Sequence, residues 1–369
     1  MRAYHLAKGL AAHAQVTLLS FGSGQDPSHP NLTMRNVEHS PGGRMSANLA
    51  APSPALPLQI RLFLDSSMRK AVNEELALKP DVVHVTLSRM GPYLPEASPG
   101  LHRHLDLVDS LSFNMRTRAK ASSRPAAVLF GAEARLMARY EAKLSARADS
   151  VSLVSDADRR APGLACAAVV PNGIDTDVSP LSHRAQGSPP VLTFFGNLGY
   201  FHNSEPARFV AEDVLPLVRA QVPGATLRLA GARPSAGVKR LEGLEGVELH
   251  ADVPDMAAEL ANSTVALLPM FTGSGLKNKV LEAFAAGLPV VANPNGMDGV
   301  EGARTETHFL AAESAGDFAA STVRLIGDAA LRAEIASAAR KLVSDAYSWE
   351  RQVGRLLGLY GTPSRQSAS

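Results

Sequence analysis

Cysteine is nearly missing from this chain of 369 residues, where Cys166 stands alone. A single thiol excludes an internal disulfide and a cysteine-based zinc site. In the apolar run LACAAVV it reads as a small buried hydrophobe, and a reducing, cytoplasmic setting suits it. Aromatic residues are few, at 5%, and no block of Lys and Arg is interleaved with them, which speaks against a nucleic-acid partner. Charge of one sign is not in excess either. The formal net charge is +2, so long-range electrostatics call for no polyanion. No stretch approaches the roughly 20 apolar residues that span a bilayer. The opening, MRAYHLAKGLAAH, carries polar residues on a helical period, unlike the continuous apolar core of a signal peptide.

What is present is an alternation of strands and helices long enough for two α/β units. A helix from Arg2 to about Ala12 leads into the strand QVTLLSFG, stopped by Gly22. Residues Pro41 to Pro57 have loop composition. A helix is expected through Ile60–Leu78, strands at PDVVHVTL and within HLDLVDSLS, a charged helix over Glu133–Arg147, and strands at VSLVSD and AAVVPNG. A Pro/Gly/Ser-rich stretch, Asp175 to Pro190, reads as a linker. A second series follows: VLTFFGNLG, ATLRLAG, VELHAD, VALLPM, PVVAN and HFLAA. Helices separate these strands, the clearest over Ala207–Ala220 and Lys277–Ala286, and three more close the chain, near Ala315–Ile326, Ala330–Ser344 and Glu350–Leu359. Such alternation implies parallel sheets covered on both faces. The expected division is residues 1–175, 176–348 and a final helix with tail, 349–369.

The chemistry concentrates in LLPMFTGSGLKNKVLEAFAAGLPVVAN, which reads as strand, glycine loop, helix, strand. Gly273, Ser274 and Gly275 let a ligand approach the backbone closely. The helix behind them offers unpaired N–H groups and the positive end of its dipole, which suit a diphosphate. Lys277 and Lys279 can add formal charge. Helical spacing puts Gly275, Lys279 and Glu282 on roughly one side, where a carboxylate can accept both hydroxyls of a ribose. A glycine loop before a helix also occurs without a ligand. On residues alone, the two lysines and Glu282 serve equally well as solvated surface charges.

This segment resembles the donor-site signature of glycosyltransferase family 4, in which two Glu residues flank seven others ahead of a small-residue helix end and G-x-P-V-V. More narrowly, GSGLKNKVLEAFAAGLPVVA resembles a branch associated with bacterial exopolysaccharide and cell-surface sugar assembly. FFGNLGYFHN, VVPNGID, VALLP, GMDGVEG and DLVDSLSFNMR extend the likeness over nearly the whole chain. The resemblance implies two Rossmann-like domains facing a cleft, the type B architecture. It also implies transfer of a sugar from a UDP- or GDP-linked donor, with retention, to a glycan or lipid-linked acceptor.

Carried over by position, Glu282 matches the second Glu and implies a ribose contact. Gly273, Ser274, Gly275 and Leu276 match the loop beside sugar and diphosphate, with Ser274 standing where the first Glu usually is. Gly196 and Asn197 match the turn facing the diphosphate, and Asp298 and Gly299 a loop near the donor. His202 reads as an ordinary helix-start residue, which leaves Lys279 to offset the diphosphate charge. Asp109 matches a first-domain turn that meets the transferred sugar, although Asp109 and Ser110 also read as a helix cap. Glu133, Tyr140 and Glu141 match a helix pattern and read as structural. Trp349 is expected to pack where the last helix returns to the first domain.

No cofactor and no metal site are expected. Asp156 and Asp158 have the spacing of a metal motif but follow a first-domain strand. A segment around Arg61, Arg69 and Lys70 reads first as an ordinary amphipathic helix packed on the sheet, with an interfacial helix in peripheral membrane contact as its alternative. A nucleotide-sugar 2-epimerase and a non-catalytic binding subunit are the rival readings. Finally, a Rossmann-like domain should open with a strand and glycine turn, whereas this sequence matches the family only from just after that turn. A gap or distorted pairing is therefore expected beside QVTLLSFG.

Overall fold

The computed structural model describes residues 2–22, 29–40, 56–120, 122–175, 189–271 and 276–361. The chain divides into two compact units, Met1–Gly173 with Trp349–Ser369, and Ile174–Ser348. Within the first, a helix over Arg2–Leu10 precedes strands β1 (Val16–Phe21) and β2 (Leu32–Val37), and β3 (Val82–Thr86), β4 (His102–Val108), β5 (Ser150–Leu153) and β6 (Ala168–Val169) follow. These do not join into one sheet among the described residues. β1 and β2 pair alone, in parallel from Val16↔Leu32 to Phe21↔Val37, while β3, β4, β5 and β6 form a second parallel sheet in that order. The interruption expected beside QVTLLSFG is present, and β1 lies at a sheet edge. Its central residues Leu18 and Leu19 are only half-buried.

Helices hold these two sheets in one unit. From the first helix, Leu6 packs with Val170, Val353 and Leu356, while Ala7 and Ala11 pack with Leu32. His5 stacks on Trp349 at 4.6 Å. The expected helix over 60–78 is two helices, Leu58–Arg61 and Ser66–Ala77. Asp65 divides them by capping the second through the Ser67 N–H, while the Tyr93 hydroxyl accepts from the Asp65 N–H at 2.8 Å. Two further helices follow β4, Leu111–Lys120 and Arg124–Ser145, and Leu144 of the second packs in one cluster with Leu105 and Leu107 of β4. Pro125 in the first turn fits the start of the longer one. Cys166 corrects an expectation. It is exposed, because it lies in the turns between residues 162 and 167 and not on β6.

The second unit holds one six-stranded sheet, all parallel: β7 (Val191–Asn197), β8 (Thr226–Ala232), β9 (Val247–Ala251), β10 (Val265–Leu268), β11 (Val290–Ala292) and β12 (Leu310–Ala311). Their order is β12-β11-β10-β7-β8-β9. β10 and β11 are buried along their whole length, as is β7 from Val191 to Phe195, which explains why they read as continuous apolar runs. The chain starts on β7, proceeds outward to β9, then returns to the other side of β7. The switch of direction therefore lies between β7 and β10. In open α/β sheets, ligands bind outside the carboxyl ends of the strands at such a switch.

Among the described residues no helix is long and apolar enough to cross a membrane. Residues 41–55 and 176–188, which include most of the expected loop and linker, lie outside the described residues.

Candidate donor site

At the carboxyl end of β7, Gly196 has φ +135° and its register partner on β8, Gly231, has φ +149°. Both values lie where only glycine is comfortable. The approach is also close, because a β-carbon on Gly231 would sit 1.7 Å from the Gly196 carbonyl oxygen. Gly231 thus fixes the path of the turn after β7. Gly231→Ala should destabilise the second unit by on the order of 3 kcal/mol and lower its melting temperature by roughly 6–12 °C. An unchanged melting curve would show that the turn yields freely.

The helix after β10, Asn278–Ala285, brings Lys279 to this turn. A β-carbon on Gly196 would meet the Lys279 Nζ at 3.4 Å and the Asn203 Nδ2 at 3.5 Å. The ammonium donates to Asn203 Oδ1 at 2.8 Å and lies 4.7 Å from the Phe194 ring centroid. Asn203 Nδ2 in turn donates to the Asn197 carbonyl at 2.8 Å. Burial brings the Lys279 pKa down to about 8, opposed by Glu282 and reinforced by Lys277. One turn along the helix, burial pushes the Glu282 carboxyl up against the pull of Lys279. Lys279 and Glu282 are therefore partly desolvated charges and not the freely solvated ones that helical spacing alone allowed.

The remaining expected residues are distributed as follows. Lys277 is buried and takes the N-cap position of the Lys279 helix, and Leu276 packs against the second unit's core. Gly273, Ser274 and Gly275 lie outside the described residues. Asp298 is exposed in the loop after β11, followed by Gly299 at φ +80°. That loop is tied to the end of β10, since Asn293 both donates to the Met270 carbonyl at 3.1 Å and accepts from its N–H at 3.0 Å. His202 occupies the second position of the helix Phe201–Phe209.

In the first unit, Asp109 is half-buried just after β4. Val108 before it has φ 65°, a strained value for a β-branched residue. Ser110 caps the next helix, accepting from the Phe113 N–H at 3.2 Å. Glu141, fully buried, accepts from the Leu111 N–H at 2.8 Å and from the Ser88 and Ser110 hydroxyls at 3.1 Å each. Asp158, also buried, accepts from the Ser110 N–H at 3.1 Å and the Ser155 hydroxyl at 2.6 Å. Two buried carboxylates thus hold the turn that presents Asp109. Glu141 has the structural place its helix pattern implied, and Asp158 is committed to the turn.

Sequence reasoning missed Asn203 and Gly231. An Asn in the first turn of a helix has an ordinary reading as an exposed polar residue, and Gly231 closes an unremarkable strand. Only the juxtaposition of β7, β8 and two helices gives them their places.

Residues 189–328 match the family model described as Glycosyl transferases group 1. No curated protein matches the chain in sequence. Among solved structures, the chain is similar to sucrose-phosphate synthase from Thermosynechococcus elongatus, with 19% identity and a TM-score of 0.68 over 96% of this chain and 90% of that one. It is also similar to Anabaena HepE in complex with UDP-glucose, with 18% identity and a TM-score of 0.64 over 97% and 95%. S. aureus TarM, in complex with fondaparinux, α-GlcNAc-glycerol and UDP, shares 13% identity and a TM-score of 0.60 over 80% of this chain. The match spans 59% of the length of TarM. The chain therefore has the two-domain, Rossmann-like glycosyltransferase type B fold, and residues 189–328 of its second unit are similar to the glycosyl transferases group 1 family.

Proposed function

We propose that this chain is a glycosyltransferase whose second unit binds a nucleoside-diphosphate sugar beyond the ends of β7 and β10. The observation that carries this reading is the Lys279 ammonium, held at the Gly196 turn and hydrogen-bonded to Asn203, at the switch point of the sheet. When the bond between the sugar's anomeric carbon and the diphosphate breaks, negative charge gathers on the leaving oxygen. A desolvated lysine and the N–H groups opening its helix stabilise that charge without a resident cofactor or metal. Glu282 accepts the ribose hydroxyls. Asp109, on the turn held by Glu141 and Asp158, meets the transferred sugar, and the first unit presents a glycan or lipid-linked acceptor. Retention of configuration, family 4 and a role in cell-surface polysaccharide synthesis rest on the resemblance of GSGLKNKVLEAFAAGLPVVA. UDP is the first nucleotide to try, with GDP its rival, because HepE and TarM were crystallised with UDP or UDP-glucose.

A thermal-shift panel of nucleoside diphosphates, followed by turnover of UDP- and GDP-sugars with and without EDTA, tests the proposal. Stabilisation by none of them would refute the donor site. Binding without transfer would favour a non-catalytic subunit, and inhibition by EDTA that Mg²⁺ reverses would refute the metal-free mechanism. Glu282→Ala should weaken nucleotide binding by about 1.5–3 kcal/mol, measured by calorimetry. Because burial disfavours the Glu282 carboxylate while Lys279 favours it, the two effects oppose each other and its removal should change the empty protein's melting temperature little. Unchanged affinity would remove Glu282 from the site.

Contact with a lipid surface is proposed for the face where Leu58 and Leu62 are exposed. Of the basic residues in this segment, Arg69 is exposed, with its guanidinium over the Tyr93 ring at 4.9 Å and on the Pro92 carbonyl at 2.5 Å. Lys70 is exposed beside Glu74 at 3.9 Å, and a headgroup contact is proposed for Arg61, Arg69 and Lys70 together. Co-sedimentation with anionic vesicles at low salt should therefore fall on substituting Leu58 and Leu62 by Ser, and no sedimentation of the wild type would end the idea.

A further inference from the structure

We infer that Asn203 is the positioning residue of the donor site, aiming the Lys279 ammonium at the diphosphate through an uncharged acceptor. The inference rests on the donor-site reading above and adds to it a residue whose role neither the sequence nor the family match supplies. Asn203 is 6% exposed, so both ends of its amide need partners. Its orientation is set by the network. The Nδ2 end faces the Asn197 carbonyl at 2.8 Å, which can only accept, and the Oδ1 end faces the Lys279 Nζ at 2.8 Å, which can only donate. One side chain thereby ties the backbone of the glycine turn to the cation. A carboxylate at this position would repel the Asn197 carbonyl and neutralise Lys279 by ion pairing. An amide fixes the ammonium and leaves its charge for the ligand.

This makes Asn203→Asp more damaging than Asn203→Ala, the reverse of what packing volume alone dictates. With UDP and GDP as probes, calorimetry should show affinity falling roughly tenfold for Asn203→Ala, the scale of one hydrogen bond to a charged group. For Asn203→Asp the loss should be about 100-fold, since the variant adds a buried negative charge beside the diphosphate. Uridine and guanosine, which lack the diphosphate, should bind all three proteins alike. The wild-type affinity should weaken above pH 8, where Lys279 loses its proton, and Asn203→Asp should move that break upward, which a merely structural residue would not do. In a Lys279→Met background, Asn203→Ala should cause no further loss, and this comparison stands even if Asn203→Asp fails to fold. Diphosphate affinities equal to wild type in both Asn203 variants, equal losses for nucleoside and diphosphate, or full additivity with Lys279→Met would each overturn the inference while leaving the donor site intact. A wild-type protein that binds neither diphosphate would overturn the donor site and the inference together.

Discussion

Lys279→Met should weaken binding of a nucleoside diphosphate about 30- to 4,000-fold while leaving the parent nucleoside nearly unaffected. Truncating one partner of a buried, hydrogen-bonded charge pair costs about 2–5 kcal/mol, and each 1.4 kcal/mol is roughly tenfold in affinity. The effect is confined to the diphosphate because the Lys279 ammonium lies at the Gly196 turn and bonds to Asn203. A pH series gives the same assignment a second measurement. Burial brings the Lys279 pKa down to about 8, so below that pH the ammonium is present in the empty site and affinity should be level. Above it a proton must be taken up with the ligand, and affinity should fall about tenfold per pH unit. Lys279→Arg, whose guanidinium stays charged throughout, should bind more weakly through its different shape but without the slope between pH 7 and 9. Equal losses for nucleoside and diphosphate in Lys279→Met, or a wild-type profile level to pH 9, would show that Lys279 only packs.

The second unit was the more legible in sequence, and the reason is burial. β7, β10 and β11 are covered on both faces, so each shows as an apolar run, and the glycine loop and Lys279 helix follow one of them directly. Helix limits were harder to read. The helix expected over Ala207–Ala220 begins earlier, at Phe201, runs to Phe209 with Pro206 inside it, and continues through a π turn at Val210–Val214. The break at Asp65 was written in the sequence Asp65-Ser66-Ser67, a capping signature hidden by the helical period on either side. Asn203 and Gly231 could not be read at all, because their roles depend on contacts made across strands and helices far apart in the chain. In the first unit, the interruption between β1 and β3 was foreseeable as an element missing from a pattern. What holds the unit together across it was not foreseeable.

Part of that hold is a buried ion pair, and breaking it should have the largest effect on stability. Arg2 Nε donates to Asp106 Oδ2 at 2.7 Å, and its other nitrogens reach the Val170 and Pro171 carbonyls and Asn172 Oδ1, each at 2.9 Å. Asp106 is fully buried in β4 and also accepts from the Ser152 hydroxyl at 3.1 Å. Burial pushes the Asp106 carboxyl up, but Arg2 and His84 outweigh it and hold the carboxyl far below the usual carboxylate range. The first helix is thereby anchored to β4 and to the end of β6, on the far side of the interruption from β1. Arg2→Met should leave a buried carboxylate short of its main partner and destabilise the first unit by about 3–5 kcal/mol, or roughly 6–20 °C in melting temperature. The depressed pKa means that the pair stabilises the fold above the ordinary carboxyl pKa near 4 and loses this contribution as pH falls below it. The difference between wild type and Arg2→Met should accordingly be full at pH 7 and shrink on acidification. Adding Asp106→Asn to Arg2→Met removes the orphaned charge, and the double variant should melt above the single one. If both variants melt with the wild type at pH 7, the ion pair does not anchor the helix, and the first unit relies on the apolar contacts of Leu6, Ala7 and Ala11 alone.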